Sequence, residues 1–283
     1  MANTGKRLKG LTYMTALGLS SGAVSTQEKI KKLAFGAFVT ADSLLLNYDP
    51  FFAVFDWEQW ARDNGVVIRL LPGGEHGTST LFERTCITSF VVALQPKSII
   101  EIGTFMGSTT EAFYLNTSDE CQIYTFDLPD DFRSDEHTTD SKLIDSSRSM
   151  TAEKKRPYVP ESPRVHQVLA NSTTSDWRSL VPLADIDFFF IDGSHSYEHA
   201  KADTVNALQM RHPNTAIMWH DAAYRNVAYY TESYGVNQAI HDALPKEEVS
   251  KVVRLKDTSF ALYAPSLFDG FEKYLSRPEK PGT

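Results

Sequence analysis

The stretch SIIEIGTFMG, from Ser98 to Gly107, decides how the rest of the chain is read. A short apolar strand carries an acid near its end, Glu101, and breaks at once into Gly103-x-x-x-Gly107. The chain then turns helical over STTEAFYLN. A strand-to-helix turn of this kind presents free backbone N–H groups at the helix start, which suit an anionic group. Glycine lets the backbone come close to a ligand and adopt dihedrals that a side chain forbids. Such turns are common, and this one gains its meaning from the polar residues at the ends of the later strands.

Working outward, helix and strand signals alternate from about residue 78. Thr80-x-x-Glu83 is a capping box that opens a helix through LFERTCITSFVVAL, stopped by Pro96. Strands come next in SIIEIG, QIYTFD, RVHQVLA, IDFFFID, TAIMWHD, KVVRLK and FALYAP. Helical patterns, notably SYEHAKADTVNALQMR and GVNQAIHDAL, fill most gaps. The fold class is therefore α/β: a Rossmann-like, doubly wound, mostly parallel seven-stranded sheet between helix layers. The first five strands read as apolar runs covered on both faces. No helix separates the last two, which predicts an antiparallel hairpin at one edge.

Residues 1–77 form a helical extension in this reading, with 78–283 as the main domain. Ser25-x-x-Glu28 caps a helix through KIKKLAFGAFVTADSLLL, and Asp56 opens a shorter one closed by Gly65. Phe51, Phe52, Phe55, Trp57 and Trp60 need burial, against the main domain, against a second subunit, or as a lid. Residues 128–163 are rich in Asp, Ser, Thr, Lys and Pro without a period, and read as a substrate-covering insertion or plain disorder.

The chain of 283 residues has a formal net charge of −8 and a sequence pI near 5.5, which argues against a nucleic-acid partner. Cys86 and Cys121 form no metal-type cluster and read as buried thiols. The basic start, with Lys6, Arg7 and Lys9, imitates a secretory signal only loosely, and no run is apolar enough to span a bilayer. The expectation is a cytoplasmic protein with a small-molecule substrate, forming a homo-oligomer.

In open α/β sheets, ligands bind beyond the carboxyl ends of the strands. Five strand ends bring polar residues there: Glu101, Gly103, Thr104 and Gly107; Asp127; Ala170, Asn171 and Ser172; Asp192, Gly193, Ser194 and His195; and His220 with Asp221. Asp127 stands where a carboxylate would meet a ribose diol. A nicotinamide cofactor would prefer Gly-x-Gly-x-x-Gly, but positions 105 and 108 are Phe and Ser. An acid followed by Gly-x-x-x-Gly instead suits S-adenosylmethionine, which has no phosphate and brings an ammonium. A nucleotide-dependent oxidoreductase and a non-catalytic binding module remain as alternatives.

EIGTFMGST, the acid of YTFD, IDGSHSYEHAKAD and WHDAA together resemble the class I S-adenosylmethionine-dependent methyltransferases. More narrowly, they are similar to the branch with cephalosporin-hydroxylase-like proteins and macrolide or aminocoumarin sugar O-methyltransferases. The resemblance covers about residues 78 to 265 and implies methyl transfer to a small-molecule hydroxyl, in specialised metabolism. It implies that Glu101, Gly103 and Gly107, with Thr104 and Ser108 of the same turn and Asp192 beside it, line the methionine end of the cofactor. Asp127 would bind the ribose, and Asn171 with Ser172 would lie near the adenine. A divalent ion would be held by Asp192, His220 and Asp221. Where several relatives have a carboxylate this chain has His220, which suits manganese, iron or zinc better than magnesium. Without a metal, His195 or His220 could be the general base. Blander roles stay open: Asp192 as a strand-end cap, His195 as a cap for the helix near Ser196, and His220 with Asp221 as a structural pair. Asp203 and His199 are expected on a solvated helix face, and His76 in a loop.

Overall fold

A computed structural model describes residues 52–70, 79–129, 131–132, 160–222, 230–268 and 270–276. The expected helix after Ser25, His76, and nearly all of the 128–163 insertion lie outside the described residues. All seven predicted strands are present: β2 (Ser98–Ile102), β3 (Gln122–Asp127), β4 (Val165–Leu169), β5 (Ile186–Ile191), β6 (Arg211–Trp219), β7 (Val253–Leu255) and β8 (Ala261–Tyr263). Two short strands outside this set, β1 (Ala53–Phe55) and β9 (Leu275–Ser276), make a nine-stranded sheet in the order β4-β3-β2-β5-β6-β8-β7-β1-β9. Strands β4 to β6 of that order run parallel, and β8 is antiparallel to both β6 and β7. The hairpin therefore does not end the sheet, because β1 pairs in parallel with β7 and β9 pairs antiparallel with β1. The chain order reverses between β2 and β5, and ligand crevices form at such a switch point.

The helices are α1 (Trp57–Asp63), α2 (Leu81–Leu94), α3 (Ser108–Asn116), α4 (Trp177–Leu180), α5 (Tyr197–Gln209), α6 (Tyr230–Ala243), α7 (Lys246–Val249) and α8 (Pro265–Phe268). Thr80 and Glu83 make both bonds of the capping box that starts α2, and Asp56 caps α1 through the Gln59 N–H. Side chains alternate across the sheet because a strand has a period of two. Ile100, Tyr124, Phe189, Ile191 and Trp219 face α5 and α6, packing with Ala200, Ala207, Ala239 and Ile240. Their neighbours Ile99, Ile123, Phe188, Phe190 and Met218 face α2 and α3, packing with Ile87, Phe90, Val91 and Phe113. β4 differs from expectation. It is an edge strand, only partly buried, which accounts for the polar His166 and Gln167 in its sequence. Cys86 and Cys121 are buried free thiols, as expected.

Of the described aromatic residues before α2, Phe52 belongs to the first core and Phe55, Trp57 and Trp60 to the second. Phe55, Trp57 and Trp60 are buried, and Trp60 stacks on Phe90 with ring centroids 4.9 Å apart. Phe55 and Phe271 also approach the Phe90 ring.

Helix α6 braces the carboxyl edge of the sheet. Asn237, fully buried, donates from Nδ2 to the Ala222 carbonyl at 3.1 Å. At Gly235 a Cβ would lie 2.8 Å from the His195 carbonyl oxygen and 3.0 Å from the Tyr197 nitrogen, so only glycine lets the helix approach this turn. One helix thus supports the turns that carry His195 and Asp221.

This packing has two measurable outcomes. Phe90→Ala should lower the unfolding free energy by about 3–5 kcal/mol, read by urea denaturation, because the cavity opens among three large rings. On helix propensity alone, Gly235→Ala would stabilise the chain by about 1 kcal/mol. The close backbone contact predicts the opposite sign, a lower melting temperature, and a stabilised variant would contradict the brace.

Candidate active site

The turn after β2 is built by a crossing of two strand ends. Gly103 has φ +97°, and a Cβ there would sit 2.2 Å from the Asp192 carbonyl oxygen. Gly107, at φ +76°, is the N-cap of α3 and offers no side chain to bond the helix's first N–H groups. Those groups remain available to a ligand. Glu101 lies beneath the turn and is completely buried. Its Oε2 accepts from the Thr110 hydroxyl at 2.5 Å, and its Oε1 has no hydrogen-bond partner among the described residues. Burial, reinforced by the negative Asp192 and Asp127, pushes the Glu101 carboxyl up to about 8, against the Thr110 hydrogen bond and the nearby Thr125 hydroxyl. Such an acid is neutral at pH 7 and ionises readily once a cation arrives. Thr104 is buried, with its hydroxyl 2.6 Å from that of Thr125, so it fastens β2 to β3.

Asp127 ends β3 beside this turn. Its Oδ2 accepts from the Phe105 N–H at 2.9 Å and its Oδ1 from the Leu128 N–H at 2.8 Å. Phe105 has φ +44°, a costly conformation for a bulky residue, and the Asp127 carboxylate holds it there. Carboxylate oxygens keep further lone pairs, so Asp127 can also accept from ligand hydroxyls. After β4, Asn171 Oδ1 accepts from the Thr173 backbone and hydroxyl, which closes a local turn. The Ser172 carbonyl accepts from Trp177 Nε1 and Asn206 Nδ2.

Asp203 corrects the sequence reading. It is 1% exposed rather than solvated, and lies under Gly193 with its carboxyl near Ser172. Burial pushes it up to about 7, against the Ser172 hydrogen bond. It stands three positions after Ala200 on α5, and that residue also faces the core. His199 is half-buried, with Nδ1 2.6 Å from the Ser196 hydroxyl. That same hydroxyl caps α5, so the cap is Ser196 and not His195.

The ends of β5 and β6 bring the remaining residues together. His220 Nδ1 lies 3.1 Å from both Asp192 Oδ1 and Asp221 Oδ2, while His195 Nε2 lies 3.2 Å from Asp221 Oδ2. Asp221 has φ +50°, a left-handed conformation that aspartate tolerates better than most residues. Burial opposes charge on His220, but Asp192 and Asp221 outweigh it and hold the imidazole well above its ordinary pKa. Burial likewise raises Asp221, yet the adjacent imidazoles bring it down to about 2. One ligand atom each from Asp192, His195 and His220 lies within 4.8 Å of the others. A carboxylate with two imidazoles fits manganese, iron or zinc, and fits magnesium poorly. Of the expected ion-holding set, Asp192 and His220 fall in this cluster with His195 in place of Asp221, whose carboxylate lies beside His220 and His195.

Residues that the sequence did not single out complete the site. Glu83 reaches it from α2, Ser259 from the turn before β8, and Thr110 and Thr125 line Glu101. Glu83 was visible only as half of a capping box.

Residues 100–222 match a family model described as a methyltransferase domain. No curated protein matches the chain. Among solved structures, an O-methyltransferase from Bacillus cereus in complex with SAH is similar at 15% identity and a TM-score of 0.44, over 72% of this chain and 86% of its own. CalS11, a TDP-rhamnose 3'-O-methyltransferase of calicheamicin biosynthesis, has 13% identity and a TM-score of 0.44, over 91% and 93%. The SAH-bound Podospora anserina methyltransferase PaMTH1 has 15% identity and a TM-score of 0.42, over 86% and 98%. Likenesses this loose carry no argument of their own. The stretch that matches this family model runs from within β2 through the Asp221 turn and holds nearly every polar residue of the site.

Proposed function

We propose that the chain takes S-adenosylmethionine as its methyl donor and transfers the methyl group to a hydroxyl of a small molecule. The observation that carries this is the Glu101 carboxyl, fully buried under a glycine turn with one oxygen unpartnered among the described residues. A cationic amino-acid tail is the ligand that such an acid asks for, and the free N–H groups of α3 suit the tail's carboxylate. Gly103, Thr104, Gly107 and Ser108 would surround the methionine end, and Asp192 would border it. Asp127 would accept from the ribose hydroxyls, with Asn171 and Ser172 at the adenine.

Methyl transfer is an in-line displacement. The sulfonium carbon–sulfur bond breaks as the oxygen–carbon bond forms, and the acceptor hydroxyl loses its proton. The protein must align the oxygen with the methyl and take up that proton. His195, at the rim with its Nε2 facing Asp221, is the base in this reading through its other ring nitrogen, and the Asp221 carboxylate steadies the imidazolium that results. A divalent ion held by Asp192, His195 and His220, with Asp221 alongside, would lower the acceptor hydroxyl's pKa. In that case the same residues orient the acceptor. The acidic composition supports a small uncharged or cationic acceptor rather than nucleic acid. A cytoplasmic homo-oligomer in specialised metabolism completes the proposal.

Calorimetry with S-adenosylhomocysteine tests the donor. Glu101 titrates at about 8 in the free chain, and the ligand's ammonium favours its ionised form. Binding at pH 7 should therefore release a proton, and affinity should rise from pH 6 to 8 and then level off. Glu101→Gln should abolish the proton release. Losing the bonds to ribose in Asp127→Ala should weaken binding about 10–100-fold. No heat with this ligand in the intact chain would refute the proposal. Excess chelator decides the ion: lost turnover, restored by manganese, assigns it, whereas full turnover leaves His195 as an unassisted base.

A further inference from the structure

Glu83 lies outside the matched domain and has no part in the methyl transfer itself, yet its side chain enters the site. The residue is 5% exposed. Its Oε2 accepts from the Thr80 backbone N–H at 3.0 Å and the Thr80 hydroxyl at 2.8 Å, so the carboxylate is locked at the start of α2. The other oxygen, Oε1, accepts from the Ser259 hydroxyl at 3.4 Å and lies 3.8 Å from His220 Nε2. The last distance is that of an ion pair and not of a direct hydrogen bond. His220 is thus flanked on both edges. Asp192 and Asp221 face Nδ1, Glu83 faces Nε2, and Phe260 lies edge-on to the ring at 5.0 Å.

We propose that Glu83 is a positioning residue: from α2 it fixes the His220 ring so that Nε2–H points back into the protein and Nδ1 faces Asp192 and Asp221. An imidazole exposes different chemistry on its two nitrogens, and the partner of one sets what the other can do. A helix cap alone would need only Oε2. The second oxygen, aimed at the site and shared with Ser259, is what the capping role leaves over. The inference rests on the reading of His220 as a site residue.

Glu83→Gln separates the two roles, because glutamine also closes a capping box. Ring-nitrogen correlations of His220 are recorded by NMR in the full chain with excess chelator, beside the melting temperature, the S-adenosylhomocysteine Kd, and kcat. The His220 Nε2 resonance is expected to move, while that of His212, paired with Asp187 at the far end of β6, stays. The melting temperature and Kd should be retained, with kcat down about 10–100-fold, as for other partners that orient a site imidazole. An unchanged His220 spectrum with kcat within about twofold of the parent would overturn the proposal and leave Glu83 as a cap. If no acceptor turns over even in the parent chain, the methyl-transfer reading fails, and the ring spectrum still decides the role of Glu83.

Discussion

Two strand ends cross at the top of the sheet with no room for a side chain between them. The Asp192 carbonyl passes so close to Gly103 that any other residue would push the turns apart. That contact ties the loop after β2 to the loop after β5, the two strands between which the chain order reverses. The crevice, the start of α3 and the position of Asp192 all depend on it. Phe105 shows the associated cost: its backbone is held in a left-handed conformation by Asp127, so the third strand is drawn into the same arrangement. Strain of this kind survives only where the surroundings over-determine it.

Charge is distributed unevenly around the crevice. Beneath the glycine turn, burial keeps the Glu101 carboxyl neutral until a positive ligand comes. A short way along, Asp192, Asp221 and Glu83 surround His220, and there the imidazole keeps the Asp221 and Glu83 carboxylates ionised. Neighbouring acids are therefore pushed in opposite directions from the ordinary carboxylate range by their environments. The first arrangement suits holding a cationic tail, and the second suits holding a proton or a cation beside a reacting hydroxyl.

Much of this could be read from the sequence, for reasons that particular residues make plain. Strands covered on both faces announce themselves as apolar runs, so β2, β3, β5 and β6 were legible with their polar ends. His195, His220 and Asp221 could be grouped because consecutive strands of a parallel sheet end on one side. Asp203 was misread because a charged residue in an amphipathic pattern normally faces water. Only the tertiary contact with Gly193 and Ser172 places it inside. Glu83 was hidden differently: its capping role is local and complete on paper, whereas its second oxygen meets partners at positions 220 and 259. β1 and β9 are too short to carry a period, and their pairing joins distant parts of the chain.

Those two strands bear on how far the molecule can be trimmed. The matched stretch ends at residue 222, but β6 is paired along Ile217–Trp219 with Tyr263–Ala261, and the sheet continues through β7, β1 and β9. A fragment cut to the matched limits would bare the buried edge of β6, a row of unsatisfied amides beside Ile217, Met218 and Trp219. Such an edge recruits other strands. The chain's recognisable centre is accordingly not a self-sufficient unit, and segments from both flanks serve as its selvedge.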